Sequence, residues 1–350
     1  MQSSSAMAIS DYSDRLAKYN ACMEGKANVS APGMECTLVN RNQLTNACYS
    51  YGAVGIFQRA LKREGIQNAP RLSRECAALF FLASKIPTMP EEDWNNYLNT
   101  IRQGTLLPEG RDDKLLEWIL INPILPDDNQ CNPNRLAQIT SELQKVALDN
   151  NPTQARSKIQ QSIYSFAQPM PKYVSPLGGK SLYYRVHDWH TSIELNNPSA
   201  RQCPEQDAMI KHYLCAQIPV SMSFIKSAGC TTKDNKTGVC KEASSGFSIH
   251  SAIAYEINQS DSKINYIESA SKNNLDPSEG LWGNFNISET CRISRITALM
   301  TSADKSFLDN IEAARRITLH SLITNTIVNH EVDTSQFRRS VKNPSSLRRH

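Results

Sequence analysis

The chain has 350 residues, of which 40% are hydrophobic and 21% charged, so it is not a collagen-like, low-complexity or mostly disordered protein. Its net charge of +4 arises at the C-terminus, because residues 338–350 carry five basic side chains and no acid. The rest of the chain is nearly neutral, so nothing in its charge suggests a general nucleic-acid surface, and no nucleic-acid partner is expected. We predict a flexible tail over 333–350; contact of residues 338–350 with phosphate or anionic lipid is the alternative.

Ten cysteines, none of them in a CxxC pair, argue against zinc ribbons and thioredoxin-type redox sites. They leave a set of disulfides, a reactive thiol, or both. Three disulfides are predicted between cysteines that lie near one another in sequence: Cys230–Cys240, Cys22–Cys36 and Cys203–Cys215. Cys76 lies on the apolar face of a predicted helix and is expected to stay unpaired.

Disulfides form in oxidising compartments, so we expect a secreted or periplasmic protein; a cytosolic protein with reduced cysteines is the alternative. The N-terminal residues lack the apolar core of a signal peptide, so the signal is expected to have been removed. No run of about 18 apolar residues occurs, so no membrane span is predicted.

Predicted helices fill the first half of the chain after a polar, irregular extension at residues 1–40. Asn46 can cap a helix whose apolar side chains repeat at helical spacing until Gly65. Four further helices are predicted from the same periodicity, at 72–84, 91–103, 112–121 and 134–150.

The second half changes to the alternating apolar and polar pattern of strands. Strands are predicted at 183–186, 191–195, 218–225, 246–257 and 264–270. A short helix at 205–216 lies among them, and a long helix at 303–329 follows them. In the strand at 246–257, His250 shares a face with small residues, which leaves room for a substrate or a partner side chain.

These patterns predict an α+β fold with a helical lobe, then a mostly antiparallel β lobe, then a C-terminal helix. The predicted units are a polar extension (1–40), a helical lobe (41–175), a β-rich lobe (176–295), a C-terminal helix (296–332) and the basic tail (333–350).

Cys48 is a nucleophile candidate because it falls in the first turn of the helix predicted to start at Asn46. Free backbone N–H groups and the positive end of the helix dipole stabilise a thiolate there. Gln43, on the incoming loop, can direct its side-chain amide to the same spot and, with the Cys48 N–H, provide two donors for an oxyanion. Such a nucleophile needs an imidazole, and His250 is the best candidate. For each residue alone, a buried structural role is the simpler alternative.

Six segments, taken in chain order, carry more information than any single residue. They are Gln43–Ala53, Leu72–Glu75, Tyr184–Val186, Ile210–Ser223, Gly246–Tyr255, and Tyr266–Ser269 with Trp282–Gly283. This series resembles the papain-like cysteine peptidases, from the oxyanion glutamine and nucleophile cysteine to the catalytic-histidine strand and the Trp-Gly near the third catalytic residue. The resemblance covers roughly residues 41–290, with long insertions.

The resemblance implies a two-lobe papain-like fold, with a β-barrel-like second lobe and the C-terminal helix as an addition. It implies cleavage of peptide bonds in proteins or peptides, without a cofactor or a metal. Cys48 would be the nucleophile, His250 the general acid and base, and Glu268 the residue that orients His250. Gln43 would complete the oxyanion hole.

The chain departs from the family pattern in two places. The family usually has asparagine where Glu268 stands, so Asn273 is the alternative third residue. Gln43 lies one residue nearer to the cysteine than is usual, and Asn46 and Ala47 stand where the family usually has glycines.

Two other functions remain open. A transglutaminase-like acyltransferase or an amidase uses the same Cys-His-acid set and would be recognised by incorporation of a primary amine. A secreted binding or effector protein could retain the fold without activity, and a disulfide at Cys48 would favour it.

Overall fold

The structure is a computed structural model and describes residues 3–31, 47–64, 72–107, 110–121, 124–125, 133–167, 173–174, 181–189, 203–227, 230–233, 240–243, 247–268, 282–286 and 293–314. These residues form helices and an antiparallel sheet, so the predicted α+β composition is confirmed. The predicted strand at 191–195, the second half of the predicted helix at 303–329 and the basic tail lie outside the described residues.

The helices that the structure describes surround the sheet and begin in the N-terminal segment. They are α1 (Ser3–Met23), α2 (Cys48–Arg63), α3 (Arg74–Lys85), α4 (Glu91–Arg102), α5 (Asp112–Ile121), α6 (Pro133–Asp149), α7 (Pro152–Ala167), α8 (Pro204–Cys215) and α9 (Ser302–Ala314). The helices predicted in the first half are α2 to α6. The sequence interpretation missed α7, although Pro152 occupies its first position and the Asn151 side chain accepts from the Gln154 N–H at 2.9 Å.

The strands are mostly in the second half. They are β1 (Val29–Ser30), β2 (Ile124–Leu125), β3 (Tyr173–Val174), β4 (Leu182–Asp188), β5 (Val220–Ser227), β6 (Cys230–Lys233), β7 (Cys240–Ala243), β8 (Phe247–Asn258), β9 (Lys263–Glu268), β10 (Trp282–Asn286) and β11 (Ile293–Thr301). The main sheet has the order β10-β9-β8-β5-β11-β4, and β1 pairs with the far end of β8. The strand β11, which the sequence analysis did not predict, lies between β5 and β4 and joins them.

The sheet separates two hydrophobic clusters. Helices α2 to α7 pack with Ile253 and Leu299 on one face. Helices α1, α8 and α9 pack with Ala252, Ala254 and Met300 on the other. Neighbouring residues of one strand thus belong to different clusters, as the alternation of side chains along a strand requires.

The N-terminal segment is ordered differently from the prediction. Residues 3–23 form α1 instead of an irregular extension, and Tyr19 and Cys22 are fully buried in the second cluster. The Arg15 guanidinium binds the Ala216 carbonyl at 2.6 Å and the buried Asp304 at 2.7 Å. We therefore assign α1 to the folded body of the protein.

The cysteine pairing differs from the prediction as well. Cys22 is bonded to Cys215, so the predicted pairs Cys22–Cys36 and Cys203–Cys215 are both wrong. Cys76 is also in a disulfide and is not the spare thiol that its position on an apolar helix face suggested. The hairpin of β6 and β7 carries Cys230 opposite Ala243 and Cys240 opposite Lys233. The side chains of this hairpin lie outside the described part, and the Cys230–Cys240 disulfide stays a prediction.

In the part of the chain that the structure describes, no helix combines the length and apolarity that a membrane crossing requires.

Candidate functional site

Helix α2 begins at Cys48, which has a free thiol and is partly exposed. The residue before it is Ala47, which occupies the N-cap position and has no side chain that could bond the first N–H groups. The predicted cap, Asn46, lies outside the described residues. A thiol at the first position of a sixteen-residue helix thus faces backbone donors and the positive end of the helix dipole.

Two glycines bring α2 unusually close to the sheet. A Cβ atom on Gly52 would overlap the Ser221 hydroxyl of β5 and lie 2.8 Å from the Ser251 hydroxyl of β8. A Cβ atom on Gly55 would overlap the end of the Ile253 side chain, also on β8. Cys48 and Gly52 are four residues apart, so they share a face of the helix. This face of α2 is the one that contacts the sheet.

The direction of α2 places Cys48 at one particular end of the sheet. At the opposite end of the helix, Arg63 binds the Gln217 carbonyl at 3.0 Å, just before β5 begins. Helix α2 therefore runs antiparallel to β5 and parallel to β8. Cys48 lies four residues before Gly52, which is about 6 Å along the helix axis. This distance corresponds to roughly two residues of a strand, so Cys48 is level with the first residues of β8.

His250 lies at this same end, near the start of β8, and is 8% exposed. Its ring makes an edge contact with Phe224, its partner on β5, with the centroids 5.6 Å apart. Since side chains alternate along a strand, this ring lies on the face opposite Ser251 and α2. The face does not consist of small residues alone, because Phe224 and Tyr266 pack against each other there.

The structure describes only part of the remaining predicted site residues. Gln43 and Asn273 lie outside the described residues. For Glu268 the described part is the backbone alone, which pairs with Ala252, two residues along β8 from His250. Cys48 is thus level with the first residues of β8, but the His250 ring lies on the face of the sheet opposite α2, and the Glu268 backbone lies on the neighbouring strand.

Tyr49 forms an apolar wall directly beside the thiol. It is 3% exposed, and a Cβ on Gly110 would lie 2.6 Å from its ring. Burial raises the pKa of the Tyr49 phenol, and a negative charge on Cys48 would raise it further. The phenol is therefore neutral and does not act as a base at this site.

Buried polar side chains lie beneath Gly52 and near it, and they were not anticipated from the sequence. The Asp112 carboxyl, at the first residue of α5, accepts a hydrogen bond from the Asp113 N–H at 3.0 Å through Oδ1, and its Oδ2 has no hydrogen-bond partner among the described residues. The Ser221 and Ser251 hydroxyls are 3.3 Å apart. Burial raises the pKa of Asp112 to about 6, and the negative charge of Asp113 adds to this effect, whereas Ser221 and Arg295 oppose it.

An ion-pair network lies next to Asp112 and involves Asp113. Arg111 forms two hydrogen bonds to Asp113, at 2.9 and 3.0 Å, and Arg295 contacts Asp113 and Asp188. Burial alone would raise the pKa of Asp113, but the bond from Arg111 and the charge of Arg295 lower it. The pKa values of the two adjacent carboxyls therefore shift in opposite directions. Asp113 loses its proton at a lower pH than an ordinary aspartate, and Asp112 keeps its proton to a higher pH.

The sequence contained weak signals for these additional residues. Two acids at the start of a predicted helix are typical of ordinary helix N-termini, so Asp112 did not stand out. Ser221 and Ser251 lie on predicted strands, but only the tertiary structure reveals that both contact Gly52.

Within the described ranges, no group of three His, Cys, Asp or Glu side chains is arranged to hold a metal ion. No protein-family model matches the chain, and no curated protein sequence matches it.

Proposed function

We propose that the chain is a thiol peptidase of the papain-like type that cleaves peptide bonds in proteins or peptides. The observation that supports this proposal is the free Cys48 thiol at the start of α2, level with the first residues of β8, the strand that carries His250, although the His250 ring lies on the opposite face of the sheet. In the proposal, α2 to α7 correspond to the helical lobe, and the sheet with its outer helices corresponds to the β-rich lobe.

The proposed reaction begins with attack of the Cys48 thiolate on the scissile carbonyl. His250 protonates the leaving amine and then activates the water that releases the acyl group. Glu268, or Asn273 in its place, orients the imidazole, and Gln43 with the Cys48 N–H stabilises the oxyanion.

In this proposal the Cys48 thiol and the His250 imidazole have to reach each other past the sheet that lies between them. A Cα–Cβ bond in a helix tilts toward the N-terminus, so the Cys48 side chain projects beyond the level of Ser251. The described pairing of β8 with β9 ends at Ala252, two residues past His250. The proposal therefore has the thiol meet the imidazole around the edge of β8 that lies past its described pairing with β9, because β8 stays paired with β5 as far as Phe247.

The Cys22–Cys215 disulfide supports an oxidising location, and we propose that the protein is secreted or periplasmic.

Substitution of the two reacting groups tests the proposal. Cys48→Ala and His250→Ala should each lower cleavage of a fluorogenic peptide library by at least about 10³-fold, because nucleophile and base act as a unit. Cys48→Ala should also abolish labelling by a thiol-directed epoxide. His187→Gln, which changes another buried strand histidine, is the matched control and should cleave at the wild-type rate near pH 7. Full cleavage by Cys48→Ala would refute the proposal.

The position of His250 against Phe224 favours a second candidate, a binding or effector protein of the same fold without turnover. In that case the wild-type protein and His250→Ala would react with the epoxide equally slowly. An acyltransferase would instead incorporate a labelled primary amine into a glutamine or peptide acceptor, with the same dependence on Cys48.

A further inference from the structure

The side of α2 that faces the sheet changes in character from one end of the helix to the other. Cys48, Gly52, Gly55, Arg59 and Arg63 recur at intervals of three and four residues, so they lie along one side of the helix. This side therefore begins with the candidate nucleophile, has no side chains in its middle and ends with two arginines.

The middle of this side makes close contacts that offer little resistance to sliding. Gly52 lies against the Ser221 and Ser251 hydroxyls, and Gly55 lies against the apolar end of the Ile253 side chain. Neither glycine has a side chain that could lodge between residues of the strands. These contacts limit how near α2 lies to the sheet, and its position along its own axis depends on contacts elsewhere.

Arg59 and Arg63 make such contacts at the C-terminal end of α2. Arg59 is 1% exposed and donates to the Gln217 carbonyl at 2.5 Å, and Arg63 donates to the same oxygen at 3.0 Å. Arg63 also forms an ion pair with Asp304 at 2.7 Å. Hydrogen bonds of a guanidinium group are directional and charge-assisted, so they resist displacement of the helix along its axis.

The two acceptors are themselves held in place. Gln217 has a left-handed backbone conformation, with φ at 61°, and its N–H donates to the Leu214 carbonyl at 2.9 Å in the turn between α8 and β5. Asp304 is fully buried, and its Oδ2 accepts from the Thr301 N–H at 3.2 Å and from the Thr301 hydroxyl at 3.1 Å. Both acceptors thus lie at the end of the sheet where β5 begins and β11 ends.

Stability alone does not account for an arginine at position 59. Burial holds the pKa of the Arg59 guanidinium well below its usual range, and the positive charge of Arg63 lowers it further, while Asp304 opposes the shift. The folded protein therefore keeps this charge at a cost in free energy, which an apolar side chain of similar length would avoid. An effect on geometry is the alternative to an effect on stability.

We infer that Arg59 and Arg63 are positioning residues that fix α2 along its axis and so set the level of the Cys48 thiol relative to the start of β8. This inference rests on the proposed function, because it concerns the nucleophile of the same site. Arg59 lies about 16 Å along the helix from Cys48, so the two arginines act through α2 and not on the substrate.

The test measures the position of Cys48 directly. One nitroxide label is attached to Cys48 and a second to the cysteine of Ser260→Cys, at the exposed turn between β8 and β9. The distance between the labels runs along α2 and β8. Pulsed electron paramagnetic resonance should show that Arg59→Met shifts this distance by about 1 Å or more, or broadens its distribution, a displacement large enough to slow a reaction.

Peptide cleavage should respond in kcat and not in KM. Arg59→Met should lower kcat by about ten-fold or more with little change in KM, since misplacement of the nucleophile affects the reaction and not binding. Arg59→Lys keeps a charged donor near the Gln217 carbonyl and should restore the wild-type distance and part of kcat. Arg63→Met changes a more exposed side chain and serves if Arg59→Met does not fold.

Arg102→Met is the matched control. Arg102, at the end of α4, donates to the Ala147 carbonyl on α6 at 3.0 Å, so it also joins two helices through an arginine–carbonyl bond. Its loss should leave the label distance and kcat unchanged, even if the variant unfolds at a lower temperature.

A wild-type distance distribution and a wild-type kcat in Arg59→Met and Arg63→Met would overturn the inference, because the arginines would then act on stability alone. The distance measurement does not require peptidase activity. If the wild type fails to cleave peptides but the distance depends on Arg59 and Arg63, the proposed function fails and the positioning of Cys48 stands.

Discussion

Gly52 has no side chain, and this absence allows α2 to approach the two strands β5 and β8 closely. Its neighbours are hydroxyls of two strands, whose positions are fixed by the sheet. Gly55, one turn later, meets the terminal methyl group of Ile253. A methyl group at the end of a long side chain can rotate away, whereas a buried serine hydroxyl held in a strand has little freedom.

We predict that Gly52→Ala destabilises the protein by about 1–3 kcal/mol, although alanine favours a helix more than glycine does. Displacement of α2 should also lower peptide cleavage. The measurement is urea unfolding with a parallel cleavage assay, and Gly55→Ala is the control. Equal stability of the two variants would contradict the steric explanation.

At the scale of elements, α1 is held to α8 by a covalent bond as well as by packing. The Cys22–Cys215 disulfide joins the end of α1 to the last residue of α8, and the Tyr19 hydroxyl lies 2.8 Å from His212 Nδ1 between the same helices. The bond spans 193 residues of sequence, a separation at which a cross-link strongly restricts the unfolded chain.

We predict that the double variant Cys22→Ala/Cys215→Ala loses about 2–4 kcal/mol of unfolding free energy. Substitution is preferable to chemical reduction because Cys76 and Cys203 are also in disulfides. Guanidinium unfolding gives the difference, and limited proteolysis reports whether α1 is released first. An unchanged unfolding midpoint would mean that packing alone holds α1.

Local signals predicted most helices, whereas non-local contacts escaped the sequence analysis. Ser73 caps α3 by accepting from the Cys76 N–H, and such a cap can be read directly from sequence. Helix α1 was missed because its apolar stripe is narrow: Tyr12, Leu16, Tyr19 and Met23 recur every three to four residues among polar ones. Proximity in sequence suggested Cys22–Cys36, but the tertiary fold, which no local pattern encodes, selects Cys215.

The features of the candidate site also fall into two groups: those that local sequence signals predict and those that depend on tertiary contacts. The position of Cys48 at a helix start follows from local periodicity, and the structure places it there. The contact of Gly52 with two strands and the burial of Asp112 depend on how α2 and α5 pack on the sheet. Since α5, β5 and β8 are far apart in sequence, periodicity could not connect them.

For the molecule as a whole, two buried groups give opposite responses to acid. Burial lowers the pKa of His187 to about 4, and the charges of Arg185 and His212 lower it further, whereas Glu312 and Asp188 oppose this shift. The unfolded chain therefore binds a proton between about pH 6.5 and 4 that the folded protein does not, so acid destabilises the fold. Asp112 has the reverse sign: its stabilising effect is present at low pH and lost as the pH rises through about 6.

We predict that the unfolding free energy of the wild type changes little between pH 4.5 and 6, because these two contributions offset each other. Asp112→Asn should become less stable by about 2 kcal/mol as the pH falls across this range, and His187→Gln less stable by about the same amount as the pH rises. Urea unfolding at several pH values measures both slopes. Parallel pH dependence in the two variants would contradict the assignment.

The cross-link between α1 and α8 has one further consequence. It closes residues 22–215 into a covalent ring, in which Cys48 lies, while His250 lies on β8, C-terminal to the ring. A single backbone cut anywhere in the ring would open it without separating the molecule into two pieces. A nicked form would therefore keep both candidate reacting groups in one connected species, and only reduction would release the fragments.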